Sequence, residues 1–242
     1  MIDLILDRAA AAGVSLARAQ AEQFESYHRV LVEANARFNL TRVPDDPVEA
    51  VDRNYLDCIA PLKAGMPVGV RRAIDVGSGA GFPGIPLSIC LPDVHFVLMD
   101  SLNKRVDFLN SVIEALGLNA EAVHQRAELG ARMPEYREGF DLAVARAVAP
   151  LNLLAEYLLP FVRVGGHVLA YKGPGLDAEL AEAQYALKLL GGALSRVDAA
   201  PIPGRDWDHR LLWIDKVAPT PAAYPRKPGK PEKNPLRPSA AT

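Results

Sequence analysis

Cysteine is scarce in this 242-residue chain: Cys58 and Cys90 are the only two. Two thiols supply neither a disulfide framework nor a CxxC metal site, and a reducing cytoplasm is the simplest setting. Long apolar runs are missing; none approaches the roughly 20 residues that cross a bilayer. The opening MIDLILDRAA has acids where a secretory leader needs bases. These absences predict a cytosolic protein with no membrane partner. An excess of one charge is missing too. Lys plus Arg number 27 and Asp plus Glu 29, so the net charge is −2 and any pull on nucleic acid must be local. No His, Cys and carboxylate cluster has metal-ligand spacing, and no metal is expected.

What is present is a chain that is 50% hydrophobic, enough for a sizeable core in one α/β domain with extras. Residues 15–38 predict an amphipathic helix capped by Ser15. Leu16, Phe24, Tyr27, Leu31, Ala34 and Phe38 fall on one stripe that only Gln20 interrupts. A second helical stretch is expected over 48–62, so two helices precede the first strand.

From residue 71 strands and helices alternate. Strands are expected at 73–76, 94–99, 120–124, 141–145 and 167–172. Helices are expected at 83–91, 103–116, 151–161 and 176–190. The pattern predicts an α/β fold with a doubly wound, mostly parallel, Rossmann-like sheet. Late strands at 194–199 and 211–217 are joined by a loop, which suggests an antiparallel pair at one edge. Residues 219–242 hold seven prolines and five bases against one acid, Glu232. Their local charge is +4, against −6 for the first 218 residues. Such composition reads as an extended, basic, mobile tail. The expected organisation is a helical extension (1–70), a catalytic domain (71–218) and the tail (219–242).

The strongest motif is Asp75-Val-Gly-Ser-Gly-Ala-Gly81-Phe-Pro-Gly84, placed between a strand and a helix. Gly77, Gly79 and Gly81 permit a tight turn and close approach of the backbone to a ligand. Pro83 suits a first helical position. Asp100 ends the next strand, where a carboxylate can accept hydrogen bonds from ribose hydroxyls. A dinucleotide site follows GxGxxG, but Phe82 stands where that pattern needs its third glycine. The spacing here is GxGxG with a preceding acid, as in class I S-adenosylmethionine (SAM) methyltransferases. The expected cofactor is SAM.

The acceptor is narrowed by further absences. After the strand at 141–145 the chain reads Arg146-Ala-Val-Ala-Pro150, not the Asn/Asp-Pro-Pro-aromatic motif of enzymes that methylate exocyclic amines. Carbon-5 cytosine chemistry needs a Cys nucleophile, whereas Cys58 and Cys90 lie in helical stretches and read as buried structural thiols. What remains is a nucleophile with a free lone pair, such as a purine ring nitrogen, with catalysis mainly by positioning. No catalytic side chain is singled out.

The motifs Asp75-Val-Gly-Ser-Gly-Ala-Gly-Phe-Pro-Gly-Ile-Pro86, Asp100-Ser-Leu-Asn-Lys-Arg105, Arg126-Ala-Glu128, Arg146-Ala-Val-Ala149, Lys172-Gly173 and Tyr224-Pro-Arg-Lys-Pro-Gly-Lys-Pro231 resemble the glucose-inhibited division protein B family. The likeness runs from about residue 39 to 236, in order. It implies methylation of N7 of a guanine in 16S ribosomal RNA, with 16S rRNA or the small ribosomal subunit as partner. A monomer is expected. The likeness also implies a cofactor site at Gly77, Phe82, Ala127, Glu128 and Arg146. Phe82 reads equally as core, and Arg146 as facing either the cofactor carboxylate or an RNA phosphate. The chain departs from the family at Asn54 and Cys58, where His and Ser are usual. Phosphate contacts are expected from Lys104, Arg105, Lys172, Arg226, Lys227 and Lys230. Competing readings are a small-molecule or protein methyltransferase, a non-catalytic SAM-fold module and an NAD oxidoreductase.

Overall fold

The computed structural model describes residues 1–238; residues 239–242 and the Phe38 side chain, the last of the stripe above, lie outside the described residues. The chain opens on α1 (Ile2–Ala11), a helix not among those expected above; Ile5 and Ala9 are buried, and Ile2, Leu4 and Leu6 pack against the same core. Long-range polar contacts hold it. Arg8 pairs with buried Asp52 at 2.7 Å and donates to the Pro203 carbonyl. Helix α2 (Arg18–Phe38) has Ala17, not Ser15, at its N-cap. The Gln20 side chain explains the shift. Its oxygen accepts from Ala17 N at 2.9 Å and its amide donates to Ile89 O, so the residue that interrupts the stripe supplies the cap.

The stretch expected as one helix over 48–62 is broken. It becomes α3 (Pro47–Val51), a π turn (Asp52–Leu56), α4 (Asp57–Ile59) and α5 (Pro61–Ala64). Such a wide turn re-aims side chains and is common at functional sites.

Then the α/β alternation begins: β1 (Arg72–Val76), α6 (Gly84–Cys90), β2 (His95–Asp100), α7 (Asn103–Leu116), β3 (Ala120–His124), α8 (Ala127–Gly130), β4 (Phe140–Arg146), α9 (Leu151–Leu158), β5 (Val162–Lys172) and α10 (Leu176–Leu189). Two strands follow, β6 (Gly192–Ala199) and β7 (Arg210–Lys216). The sheet order is β3-β2-β1-β4-β5-β7-β6. Strands β1 to β5 are mutually parallel, and β7 lies antiparallel between β5 and β6. The doubly wound sheet and its antiparallel edge are as expected.

Strand residues alternate between two cores. Leu142, Val144, Leu211 and Trp213 face the N-terminal helices with α6 and α7; Ala143, Ala145, Leu212 and Ile214 face α9 and α10. Phe24, Tyr27 and Leu31 of α2 are fully buried against the first face, so the N-terminal helices share its core. Each such side chain stabilises the fold by about 1.5–3 kcal/mol. The chain order reverses between β1 and β4, which opens a crevice at their carboxyl ends.

The tail corrects the composition-based expectation. Residues 219–238 are packed on the body and end in a short helix, α11 (Lys230–Lys233), followed by buried Leu236. Proline has no N–H, so this segment offers mainly carbonyls. Body arginines donate to them: Arg137 to Thr220 O and Tyr224 O, Arg132 to Ala223 O and Pro225 O. Arg226 bonds Glu156, whose carboxylate on α9 is fully buried, through its backbone N (2.8 Å) and its guanidinium (2.6 Å). The physical reason for order is non-local donors, which composition does not record.

Candidate functional site

Strand β1 delivers the chain into loop 77–81 at the switch point. Gly77 has φ +76°, and a Cβ there would press on the Val148 methyl at 3.1 Å. Gly77 N and Ser78 N both donate to Met99 O, tying the loop to the end of β2. Asp75 braces the loop from below, accepting from Ser78 Oγ (2.7 Å) and Gly84 N (2.9 Å). A side chain on Gly84 would collide with Leu98 and that carboxylate. Burial pushes the Asp75 carboxyl up to about 6, against those two hydrogen bonds, which favour the charge.

Asp100, at the end of β2, accepts from Gly79 N (2.9 Å), Leu102 N (3.0 Å) and Arg105 (3.4 Å). A carboxylate has about four lone-pair sites, so acceptor capacity remains toward the crevice. A cavity of about 510 Å³ lies here, lined among others by Gly77, Asp100, Ala127, Glu128, Tyr157 and Glu232. Its chemistry fits SAM. A bare glycine backbone admits close approach, the Asp100 carboxylate has capacity to accept from hydroxyl groups, and Ala127 and Glu128 line the wall beyond β3.

The expected cofactor residues divide. Gly77, Asp100, Ala127 and Glu128 meet on this wall. Gly79 serves through its amide to Asp100, while Gly81 packs beside Tyr27, Ile85 and Leu109. Phe82 is 6% exposed and sits in an aromatic cluster with Tyr27 and Tyr55, so it is a core residue here. Pro83 precedes α6 and does not open it. Arg146 lies away from the cofactor wall. Its guanidinium packs 4.8 Å from the Phe82 ring, and it donates to Asp57 Oδ2 and Arg53 O, both at 2.9 Å.

Arg146 borders a second cavity of about 690 Å³ that also touches Asn54, Asp57, Tyr171, Lys172 and His209. The two cavities share one wall, residues 147–150. His209 Nδ1 stands 2.8 Å from Asp57 Oδ1, an ion-pair distance. Burial raises the Asp57 carboxyl, but His209 and Arg146 outweigh it and hold the group below its usual range. Sequence reasoning missed Asp57 and His209; the strand-end run Arg146-Ala-Val-Ala-Pro150 marked the wall but not what faces it.

Of the bases expected on RNA, Arg105, Lys172 and Arg226 have carboxylate partners. Arg105 bonds Asp100, Lys172 pairs with Glu179 at 2.6 Å, and Arg226 is held by Glu156. Lys104, Lys227 and Lys230 are exposed. Burial pushes the Cys90 thiol up to about 12 and raises Cys58 further, so neither is a ready thiolate. Among the described residues no group of three or more His, Cys, Asp or Glu is placed to hold a metal, and no helix is long and apolar enough to cross a membrane.

The rRNA small subunit methyltransferase G family matches residues 20–205. A ribosomal RNA small subunit methyltransferase G of Clostridium perfringens is 42% identical over 97% of this chain and 98% of its own. Another, from Brevibacillus brevis, is 45% identical over 94% and 95%. Among solved structures, cofactor-bound Rv0187 from MTB superposes with a TM-score of 0.54 at 17% identity, covering 81% of this chain and 91% of that one, a likeness of fold alone. The glycine loop, the carboxylate beyond it and these full-length relatives agree: the chain belongs to the rRNA small subunit methyltransferase G family, a family of SAM-dependent methyltransferases.

Proposed function

We propose that this protein methylates N7 of a guanine in 16S ribosomal RNA, acting in the cytoplasm as a monomer. The observation that carries the reading is the wall shared by the two cavities. Ala147, Val148, Ala149 and Pro150 carry no titratable side chain. An acceptor brought there meets no side-chain base at the junction. N7 of guanine has its own lone pair and needs no proton removed before attack. SAM supplies an activated methyl group on a sulfonium centre. The protein's part is to hold the two partners in line. Asp100 binds and orients the cofactor ribose, the Gly77 backbone lets the cofactor approach, and the apolar wall brings no competing base to the line of transfer.

In this reading residues 1–70 are a helical extension, 71–218 the methyltransferase domain and 219–242 the tail. RNA phosphates meet the exposed Lys104, Lys227 and Lys230, while Arg105, Lys172 and Arg226 organise the protein itself. The test is incubation with methyl-labelled SAM and small subunits, or their RNA, from cells lacking the modification. Label recovered as N7-methylguanosine is expected. Label in another nucleoside, or in protein or small molecules only, overturns the reading.

A further inference from the structure

The second cavity has a polar group that nothing in the fold satisfies. Asn54 is 2% exposed, and its side-chain Nδ2 has no hydrogen-bond partner. Buried donors are rarely left so, and each exception invites an explanation. Asn54 lies in the π turn Asp52–Leu56, and it borders the cavity. Asp57 faces Arg146 and His209 there, and Lys172 faces Glu179, while Arg42 and Arg53 also line the cavity, so basic side chains outnumber carboxylates in its wall. The Asn54 amide is left unspent, across residues 147–150 from the first cavity.

We propose that this cavity receives the acceptor base and that the Asn54 amide donates to O6 of guanine. The inference rests on the methyltransferase reading above and adds the site and its specificity. On guanine, O6 adjoins N7 along one edge. A base whose N7 meets residues 147–150 presents O6 to its flank. Nδ2 cannot serve N7 itself, because a hydrogen bond there would occupy the attacking lone pair. Adenine places an amino donor at position 6, so donor would face donor and the buried amide would stay unpaired. The residue thus discriminates without touching the reacting atom and is a positioning residue.

The experiment uses the full-length protein and 16S RNA in which the guanine methylated by wild type has been mapped. That guanine is then replaced by 2-aminopurine, which keeps N7 and lacks O6. Asn54→Ala removes the donor, and Asn54→Asp keeps the volume but offers an acceptor. SAM titration of each variant is the control for folding and for the cofactor site, and affinity within about twofold of wild type is expected. Losing one hydrogen bond to a buried partner predicts a fall in kcat/KM on guanine of about tenfold or more for each variant. Wild type should lose as much on 2-aminopurine, and Asn54→Ala should show no further loss on that base. Equal rates for wild type and Asn54→Ala on guanine, or substitution and base penalties that simply add, overturn the proposal. If Asn54→Ala fails to fold, Asn54→Asp and the wild-type 2-aminopurine penalty decide. A wild-type enzyme that modifies no guanine N7 sinks the functional reading as well, whereas an active wild type with an unimpaired variant sinks only the base-site assignment.

Discussion

Loop 77–81 and the strap formed by residues 219–238 are both poor in regular structure, yet they reach order by opposite routes. The loop is settled locally. Gly77 needs its positive φ, and the two carboxylates that brace it, Asp75 and Asp100, lie within 25 residues. The strap makes local turns at 221–224 and 227–234, but what holds it to the body is distant in the chain. Its partners Arg132, Arg137 and Glu156 stand 70 to 93 residues away. The two regions meet at Glu128, whose Oε1 accepts from Gly229 N of the strap and pairs with Arg126 while its side chain borders the cofactor cavity. A segment that composition marks as disordered is therefore part of the frame of the cavity beside the glycine loop.

The largest effect should come from cutting the strap's anchor. Arg226→Ala leaves the Glu156 carboxylate buried without its counter-charge, and breaking such a pair costs about 3–5 kcal/mol. Urea unfolding should report that loss. Replacing both partners, Arg226→Met with Glu156→Leu, should recover most of it, because the charge that needs burying is gone. A stable single variant would mean that the strap contributes little to the fold.

This contrast also explains what could be read in advance. The parallel strands, α7 ending at Gly117 and the antiparallel edge follow from periodicity and from glycine, which act within a few residues. The backbone turn at Gly77 and the position of Asp100 at the end of β2 follow from the motif in the same way. Helix α1, the Gln20 cap, the π turn at 52–56 and the packed tail depend on contacts across 40 to 200 residues or on one side chain's geometry. For the same reason Arg146 could be placed at a strand end but not on one side of the wall. Its partner Asp57 lies 89 residues earlier, inside the stretch that periodicity reads as one plain helix.

A second test probes the local side. The Asp75 carboxyl titrates near 6 in the folded protein, above the ordinary Asp value of about 3.9 in the unfolded chain. The folded state therefore binds the proton more tightly. This group's contribution is fully present below about pH 4 and is lost as pH rises through 6, a difference of roughly 2–3 kcal/mol. Asp75→Asn can still accept from Ser78 and Gly84 through its amide oxygen, and it should abolish that part of the decline. Unfolding free energies at pH 4 and pH 7 for both proteins give the comparison. An identical decline in the variant would remove Asp75 as its source.

A third substitution, Asp100→Ala, separates cofactor binding from the strap. Losing hydrogen bonds to an ionised group predicts a fall in SAM affinity of about 1.5–3 kcal/mol by isothermal titration. Three donors, from Gly79, Leu102 and Arg105, also lose their acceptor, so some stability should go with it. Unchanged SAM affinity would displace Asp100 from the cofactor site.

The smallest effect on the fold is expected within the strap itself, and it decides whether order and RNA contact belong to different residues. Lys227, Lys230 and Lys233 are exposed, whereas Arg226, next to Lys227 in the chain, is spent on Glu156. Because the strap is packed, the three exposed lysines are carried on an ordered backbone against a body whose charge is −6. A phosphate backbone docking there releases counterions in proportion to the charges it meets. If all three lysines neutralise phosphates, the triple Ala variant should flatten the slope of log affinity against log salt by roughly 2, with the single-strand coefficient. The melting temperature and SAM affinity should stay near wild type, since none of the three anchors the strap as Arg226 does. An unchanged salt slope would move RNA contact elsewhere, with the face bearing Lys104 the next to test. A lowered melting temperature would show that the lysines, like Arg226, belong to the strap's hold on the body.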